Sequence, residues 1–140
     1  MSAYIDTSVL GAYYCPEPGS KSAEHVLLSV EGPIISILSE VEFCSLVSKK
    51  MRRRELTERQ GKAILELFGS HVAEGFYGRV ALVTEHYIKA RQLFASSIPL
   101  HTLDALHLAI AIAEGVPIVT SDRALTAAAK RHKVPIVLVK

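Results

Sequence analysis

Cysteine is scarce in this sequence, and no long apolar segment runs without interruption. The two cysteines, Cys15 and Cys44, lie far apart and lack the spacing of metal ligands. We expect two reduced thiols in a cytoplasmic protein rather than a disulfide. The longest apolar stretch, residues 103–119, contains charged residues, glycine and proline, which argues against a membrane span. The first residues also lack the basic and apolar segments of a secretion signal.

No sign of charge dominates, and several familiar catalytic patterns are missing. The 16 Lys and Arg residues nearly balance the 14 Asp and Glu residues, giving a net charge of +2. Such a balance permits a nucleic-acid partner without requiring one. The sequence contains no GxxxxGK[ST] or GxGxxG loop, no GxSxG turn and no HExxH motif. These absences count against P-loop, dinucleotide-binding, serine-hydrolase and zinc-protease chemistry.

What is present is an alternation of short apolar runs with helical patterns. Hydrophobic residues make up 49% and charged residues 21% of the chain, and we expect one domain over residues 1–140. The spacing of apolar residues predicts the order β-α-α-β-α-α-(β)-α-α-β-α-β. The strands are short and apolar on both sides, which indicates a central parallel sheet covered by helices. Thr57 and Thr102 are expected to cap two of the helices.

Four acidic residues fall near strand ends and helix starts in this order. Asp6 follows the strand AYI and Asp122 follows IVT, whereas Asp104 lies in a first helical turn and Glu42 about one turn into its helix. Taken singly, the aspartates have ordinary readings as N-caps or as acids that complement the helix dipole. Glu42, with Glu40 beside it, could likewise lie on a solvated face.

The competing hypothesis is that the four acids converge on one site. Ligands of open α/β sheets bind beyond the carboxyl ends of the strands, which is where these acids fall. Carboxylates brought together repel one another unless cations neutralise them. Their hard oxygen atoms suit Mg²⁺ or Mn²⁺, and a divalent ion held by carboxylates and water is a standard means of cutting phosphodiesters.

Four segments carry a family resemblance: YIDTSVL, SILSEVEF, LDALHLAIA and IVTSDRAL. In order, spacing and structural context they resemble PIN-domain ribonucleases, and they are most similar to VapC-type toxins of bacterial and archaeal toxin–antitoxin pairs. The resemblance covers nearly the whole chain. It implies a three-layer α/β/α sandwich with a central parallel sheet and a Mg²⁺- or Mn²⁺-dependent endoribonuclease. It further implies an RNA substrate, inhibition by a cognate VapB-type antitoxin, and a homodimer.

The resemblance also assigns residues. By motif match, Asp6, Glu42, Asp104 and Asp122 are the catalytic, metal-binding acids, and Glu42 rather than Glu40 matches the second of them. Two hydroxyls would support these acids. Ser8 matches the small hydroxyl that accompanies the first acid, and Thr120 matches the hydroxyl two residues before the last, where it could orient a water or a carboxylate. Related proteins often carry a basic residue just before the third acid, and His101 is the only candidate here.

Some assignments stay open at this point. His107, one helical turn after Asp104, fits a packed histidine with one nitrogen satisfied, although it could orient Asp104 or a water. The basic run over residues 49–54 could bind RNA phosphates or simply end a helix in solvent. The antitoxin helix is expected in a groove between the helices near residues 46–54 and 56–68. The alternative function is a catalytically silent PIN-like module that binds RNA or protein.

Overall fold

The computed structural model describes all 140 residues, and its elements follow the predicted order. The strands are β1 (Ser2–Ile5), β2 (Gly32–Ser36), β3 (Gly78–Val80), β4 (Ile118–Thr120) and β5 (Ile136–Leu138). The helices are α1 (Thr7–Tyr14), α2 (Ser20–Ser29), α3 (Ile37–Arg52), α4 (Glu58–Ala73), α5 (Thr84–Leu93), α6 (Thr102–Glu114) and α7 (Arg123–Arg131). The third strand, which the sequence indicated only weakly, forms as the edge of the sheet.

The sheet is parallel throughout, and its strand order is β3-β2-β1-β4-β5. The chain therefore builds outward from β1 on one side and later returns to build β4 and β5 on the other. Open α/β sheets bind ligands at the carboxyl ends of strands where the order reverses, which here is between β1 and β4. Asp6 follows β1 and Asp122 lies two residues after β4, so the topology places both at this point.

Helices cover both faces of the sheet. Side chains of β1 alternate between the faces: Ala3 and Ile5 join one apolar cluster, and Tyr4 joins the other. The first cluster includes Leu10, Leu27, Phe43 and Phe68 from α1 to α4. The second includes Leu93, Leu108, Ile110 and Leu125 from α5 to α7. These two packed layers on one sheet confirm the three-layer α/β/α sandwich that the sequence predicted.

Helix α6 is the central helix of the second layer. Its residues 105–111 are all buried, as expected for a helix that is apolar on every side. His101 holds the N-cap position without a side-chain cap bond, and Thr102 is the first helical residue. The prediction that Thr102 caps α6 is therefore wrong, whereas Thr57 caps α4 through a capping box. None of the helices combines the length and the apolar character needed to cross a membrane.

Candidate active site

The four acids singled out in the sequence line one open cavity of about 400 Å³ at the carboxyl ends of β1 and β4. Asp6 reaches this cavity from the β1–α1 junction, Glu42 from α3, Asp104 from the first turn of α6 and Asp122 from the start of α7. Each acid belongs to a different segment of the chain. Their meeting is therefore a product of the sheet topology and not of local sequence.

Asp6 is a buried acid held from one side by hydroxyl groups. Ser8 Oγ and Thr120 Oγ1 both donate to Asp6 Oδ2, at 2.6 and 2.9 Å. The backbone N–H groups of Ser121 and Asp122 donate in turn to those hydroxyls, at 3.2 and 3.0 Å. Asp6 occupies the N-cap position of α1, yet its side chain makes no cap bond. The capping interpretation is therefore wrong for Asp6, whose Oδ1 has no protein partner.

Asp122 combines the two interpretations that the sequence left open. Its Oδ1 accepts hydrogen bonds from the backbone N–H groups of Ala124 and Leu125, at 2.8 and 3.2 Å, and so caps α7. Its side chain also lines the cavity, and Oδ2 forms no hydrogen bond within the protein. One carboxylate thus anchors a helix with one oxygen and offers the other to the cavity.

Asp104 shows electrostatically that the acids lie close together. Burial raises the pKa of Asp104, and the negative charges of Asp122 and Asp6 raise it further. His101, the basic candidate beside it, lies 3.5 Å away through Nδ1, with a side chain 97% exposed. Because the His101 side chain is exposed to solvent, its ion pair with Asp104 is weak and does not offset the repulsion from Asp122 and Asp6.

Glu42 is held at one oxygen by two donors. Oε1 accepts a hydrogen bond from Thr7 Oγ1 at 2.8 Å and a short one from His107 Nε2. Burial alone would raise the pKa of Glu42, but the hydrogen bonds that it accepts from His107 and Thr7 bring it below its usual value. Glu40 instead forms a bidentate ion pair with Arg79, at 2.9 Å for both contacts, and does not line the cavity. The geometry supports the choice of Glu42 over Glu40.

His107 is the residue that sequence reasoning underestimated. It is 1% exposed, and both ring nitrogens are engaged: Nε2 by Glu42 and Nδ1 by the phenol of Tyr4, at 2.6 Å. The expectation that His107 is packed in the core is confirmed, but both of its nitrogens are satisfied rather than one, and its carboxylate partner is Glu42 rather than Asp104. The available signal was an imidazole in the middle of an apolar helix, since a buried polar ring needs partners.

The basic run divides between two environments. Lys49 is exposed and lines the rim of the acidic cavity. Lys50 pairs with Glu17 at 3.1 Å, and Arg52 donates to Ser48 at 3.0 Å on its own helix. Of the five basic side chains in the run, only Lys49 is placed beside the acids.

The donor set suits a hard divalent cation. Asp6 Oδ1, Asp122 Oδ2 and Glu42 Oε2 have no hydrogen-bond partner in the protein. Every side-chain oxygen that is fully buried does have a partner. These three atoms are therefore not fully buried and reach solvent. No group of three or more Asp, Glu, His or Cys side chains could hold a metal ion as a ready-made cage. Mg²⁺ does not require a cage, because it commonly keeps several waters and binds through one or two carboxylates. The chemistry of the cavity therefore fits such an ion.

Comparisons with known proteins agree with this fold. The family model described as PIN domain matches residues 3–131. No curated protein matches the chain.

Among solved structures, VapBC2 from Rickettsia felis bound to a promoter DNA fragment has a TM-score of 0.72 at 17% identity, over 100% of both chains. VapC20 of Mycobacterium tuberculosis, a Sarcin-Ricin loop cleaving toxin, has a TM-score of 0.69 at 16% identity, over 90% of this chain and 94% of that one. A toxin–antitoxin complex from Klebsiella pneumoniae has a TM-score of 0.63 at 16% identity, over 86% of each chain. At these identities the likeness is one of fold.

Proposed function

The chain belongs to the PIN-domain family, and on this premise we propose that it is a VapC-type toxin that hydrolyses RNA phosphodiesters with Mg²⁺ or Mn²⁺. The observation that carries the proposal is the convergence of four acids from four segments at the reversal point of the sheet. The negative charges of Asp122 and Asp6 raise the pKa of Asp104, so their repulsion is costly to the metal-free fold, and a bound cation would offset that cost. We further propose one domain over residues 1–140, acting in the cytoplasm.

Asp6, Asp104 and Asp122 would hold the ion, in part through its bound waters, with Ser8 and Thr120 fixing the orientation of Asp6. When bound, a divalent ion lowers the pKa of a water and neutralises charge that develops on the phosphate. Glu42 would take the proton of the attacking water or bind the ion through Oε2. Its lowered pKa keeps it ionised for either task.

The substrate backbone would approach past Lys49. This side chain is exposed at the rim of the cavity, where its ammonium group can contact a phosphate next to the one being cut. Phosphate contacts by lysine are electrostatic and indifferent to sequence. Lys49 would therefore position RNA, while the choice of target would depend on the shape of the surrounding surface.

Two further surfaces fit the partners that the family resemblance implies. An apolar cavity of about 260 Å³ lies between the end of α1 and α4, lined by Pro16, Leu56, Ala63 and Ile64 among others. It borders the groove expected for the antitoxin helix. At a second surface, formed by α3 and α5, Val41 and Tyr87 are 64% and 54% exposed beside a wholly apolar cavity. A second copy of the chain would cover this face in a homodimer.

The decisive experiment compares RNA from cells that express the wild type, Asp6→Asn or Glu40→Gln. Sequencing of RNA 5′ ends should reveal new, discrete ends with the wild type and none with Asp6→Asn. Glu40→Gln is the matched control, because it removes an acid from α3 that lies outside the cavity, and it should cleave like the wild type. Full cleavage by Asp6→Asn would refute the catalytic assignment. A wild type that cuts no RNA and binds no Mn²⁺ by calorimetry would favour the silent binding module instead.

A further inference from the structure

A buried chain of hydrogen bonds leads from the first turn of α3 back to Glu42 on the same helix. The phenol of Tyr4 contacts Ser36 Oγ at 2.8 Å and Ser39 Oγ at 3.1 Å, and these two serines form the capping box of α3. The same phenol contacts His107 Nδ1, and the other ring nitrogen contacts Glu42. These hydrogen bonds therefore join β1, α3 and α6 at the wall of the acidic cavity.

The hydrogen-bonding roles along this chain follow from its two ends. An ionised Glu42 can only accept, so His107 Nε2 must carry the proton that it donates. In the neutral ring Nδ1 is then an acceptor, and the Tyr4 hydroxyl donates to it. The phenol oxygen lies 2.6 Å from Nδ1, where its O–H group can donate. Tyr4 thus selects the tautomer of His107 that can bind Glu42.

The consequence for Glu42 is that one oxygen is fixed and the other is left available. His107 and Thr7 both donate to Oε1. Oε2 has no protein partner and reaches the solvent of the cavity. Without His107 the side chain would keep only the bond from Thr7, and its terminal torsion would be less restricted.

We propose that His107 is a positioning residue, held in one tautomer by Tyr4, which aligns Glu42 so that Oε2 faces the metal-binding side of the cavity. The inference deepens the proposed function and rests on it. Partners that orient metal-binding groups in this way typically contribute about 10- to 100-fold to metal affinity or activity. His107 itself touches neither substrate nor ion in this scheme.

The chain supplies its own matched controls, because it contains a second tyrosine–histidine pair away from the cavity. Tyr14 Oη contacts His71 Nδ1 and Tyr77 Oη, each at 2.7 Å. His71→Leu and Tyr77→Phe therefore remove a ring or a phenol of the same kind in the other apolar layer. These two variants show how much the loss of such a hydrogen bond lowers the stability of the fold, without any effect on the acidic cavity.

The first measurement is Mn²⁺ affinity by calorimetry, with thermal unfolding of each metal-free variant alongside. His107→Leu should weaken Mn²⁺ binding by about 10-fold or more. Tyr4→Phe should weaken it less, because the ring keeps its volume and only the tautomer is released. His107→Gln, whose amide can still donate to Glu42, should recover part of the loss. The controls His71→Leu and Tyr77→Phe should bind Mn²⁺ like the wild type even where they unfold earlier.

The second measurement is a double-mutant cycle with Glu42→Gln. If His107 acts through Glu42, His107→Leu should add little to the Glu42→Gln loss of Mn²⁺ affinity. Cleavage of a synthetic RNA that spans the site found by 5′-end sequencing should show the same pattern in kcat, with KM nearly unchanged.

The outcomes separate this inference from the proposed function. If the wild type cleaves RNA, and His107→Leu matches His71→Leu in Mn²⁺ affinity and in kcat, the positioning role is refuted and the nuclease assignment stands. If the wild type cleaves nothing, the nuclease assignment fails, and Mn²⁺ affinity still decides the inference. Additive losses in the cycle would also overturn it, since they would show that His107 acts independently of Glu42.

Discussion

Substitutions of Asp122 can separate its role in capping α7 from its proposed role in metal binding, because the two roles use different carboxylate oxygens. Its Oδ1 caps α7 through two backbone N–H groups, while its side chain lines the acidic cavity and Oδ2 has no hydrogen-bond partner in the protein. Asparagine keeps an oxygen that can accept the cap bonds but cannot supply a second, charged one. Alanine supplies neither. The two substitutions should therefore have different effects on stability and the same effect on metal binding.

The size of the stability effect follows from the cap. Replacing an Asp N-cap with alanine costs about 1 kcal/mol, within a range of about 0.5–2, whereas asparagine caps about as well as aspartate. Helix α7 has nine residues and buries Leu125, Ala128 and Ala129, so fraying at its start reaches the core. For a chain of this size, 1 kcal/mol corresponds to a fall in Tm of roughly 3–5 °C. In the metal-free protein we expect Asp122→Asn to unfold within about 1–2 °C of the wild type and Asp122→Ala clearly earlier.

The assay is urea and thermal unfolding, first with a chelator and then with excess Mn²⁺. An ion present at 100 times its Kd stabilises the folded wild type by about 2.7 kcal/mol, and both variants should lose most of that gain. If Asp122→Asn destabilises the metal-free protein as much as Asp122→Ala, the argument from the cap is refuted. If Asp122→Asn keeps the wild-type response to Mn²⁺, Asp122 is not a metal ligand.

Three further results are expected. Asp104→Asn should stabilise the metal-free protein by about 0.5–2 kcal/mol in urea unfolding, because it removes a half-buried charge that Asp122 and Asp6 repel. A loss of stability would contradict the claim that these acids repel one another in the folded protein. Burial raises the pKa of three tyrosines, so their neutral forms contribute to the free energy of unfolding. This contribution should be fully present below about pH 10, and it should be lost as the pH rises through the folded-state pKa values. The three tyrosines are Tyr4, Tyr14 and Tyr77, the last with its pKa raised to about 12. Unfolding measured from pH 9 to 12 should show this decline, and a flat curve would refute it. Val41→Glu should convert the proposed dimer to monomer in analytical ultracentrifugation; a wild type that sediments as a monomer would exclude the dimer.

The fold was accessible from sequence because its signals are local. Short apolar runs and helical spacing predicted the elements in their observed order, and a parallel sheet followed from strands that are apolar on both sides. The positions of the four acids at strand ends and helix starts were readable for the same reason. Capping was harder: Thr57 was identified correctly and Thr102 was not, because a one-residue shift of the helix start depends on contacts outside the segment.

The sequence alone predicted which acids would lie near one another, and all four line one cavity, because the kinds of side chain and their places relative to the strands can be read from its order. Only the tertiary structure decided how each one is held. It showed that Asp6 caps nothing, that Asp122 caps a helix and faces the cavity, and that His107 binds Glu42, 65 residues away. Hydrogen bonds of this kind join segments that are distant in the chain, and their geometry depends on angstrom-level packing that no local pattern encodes.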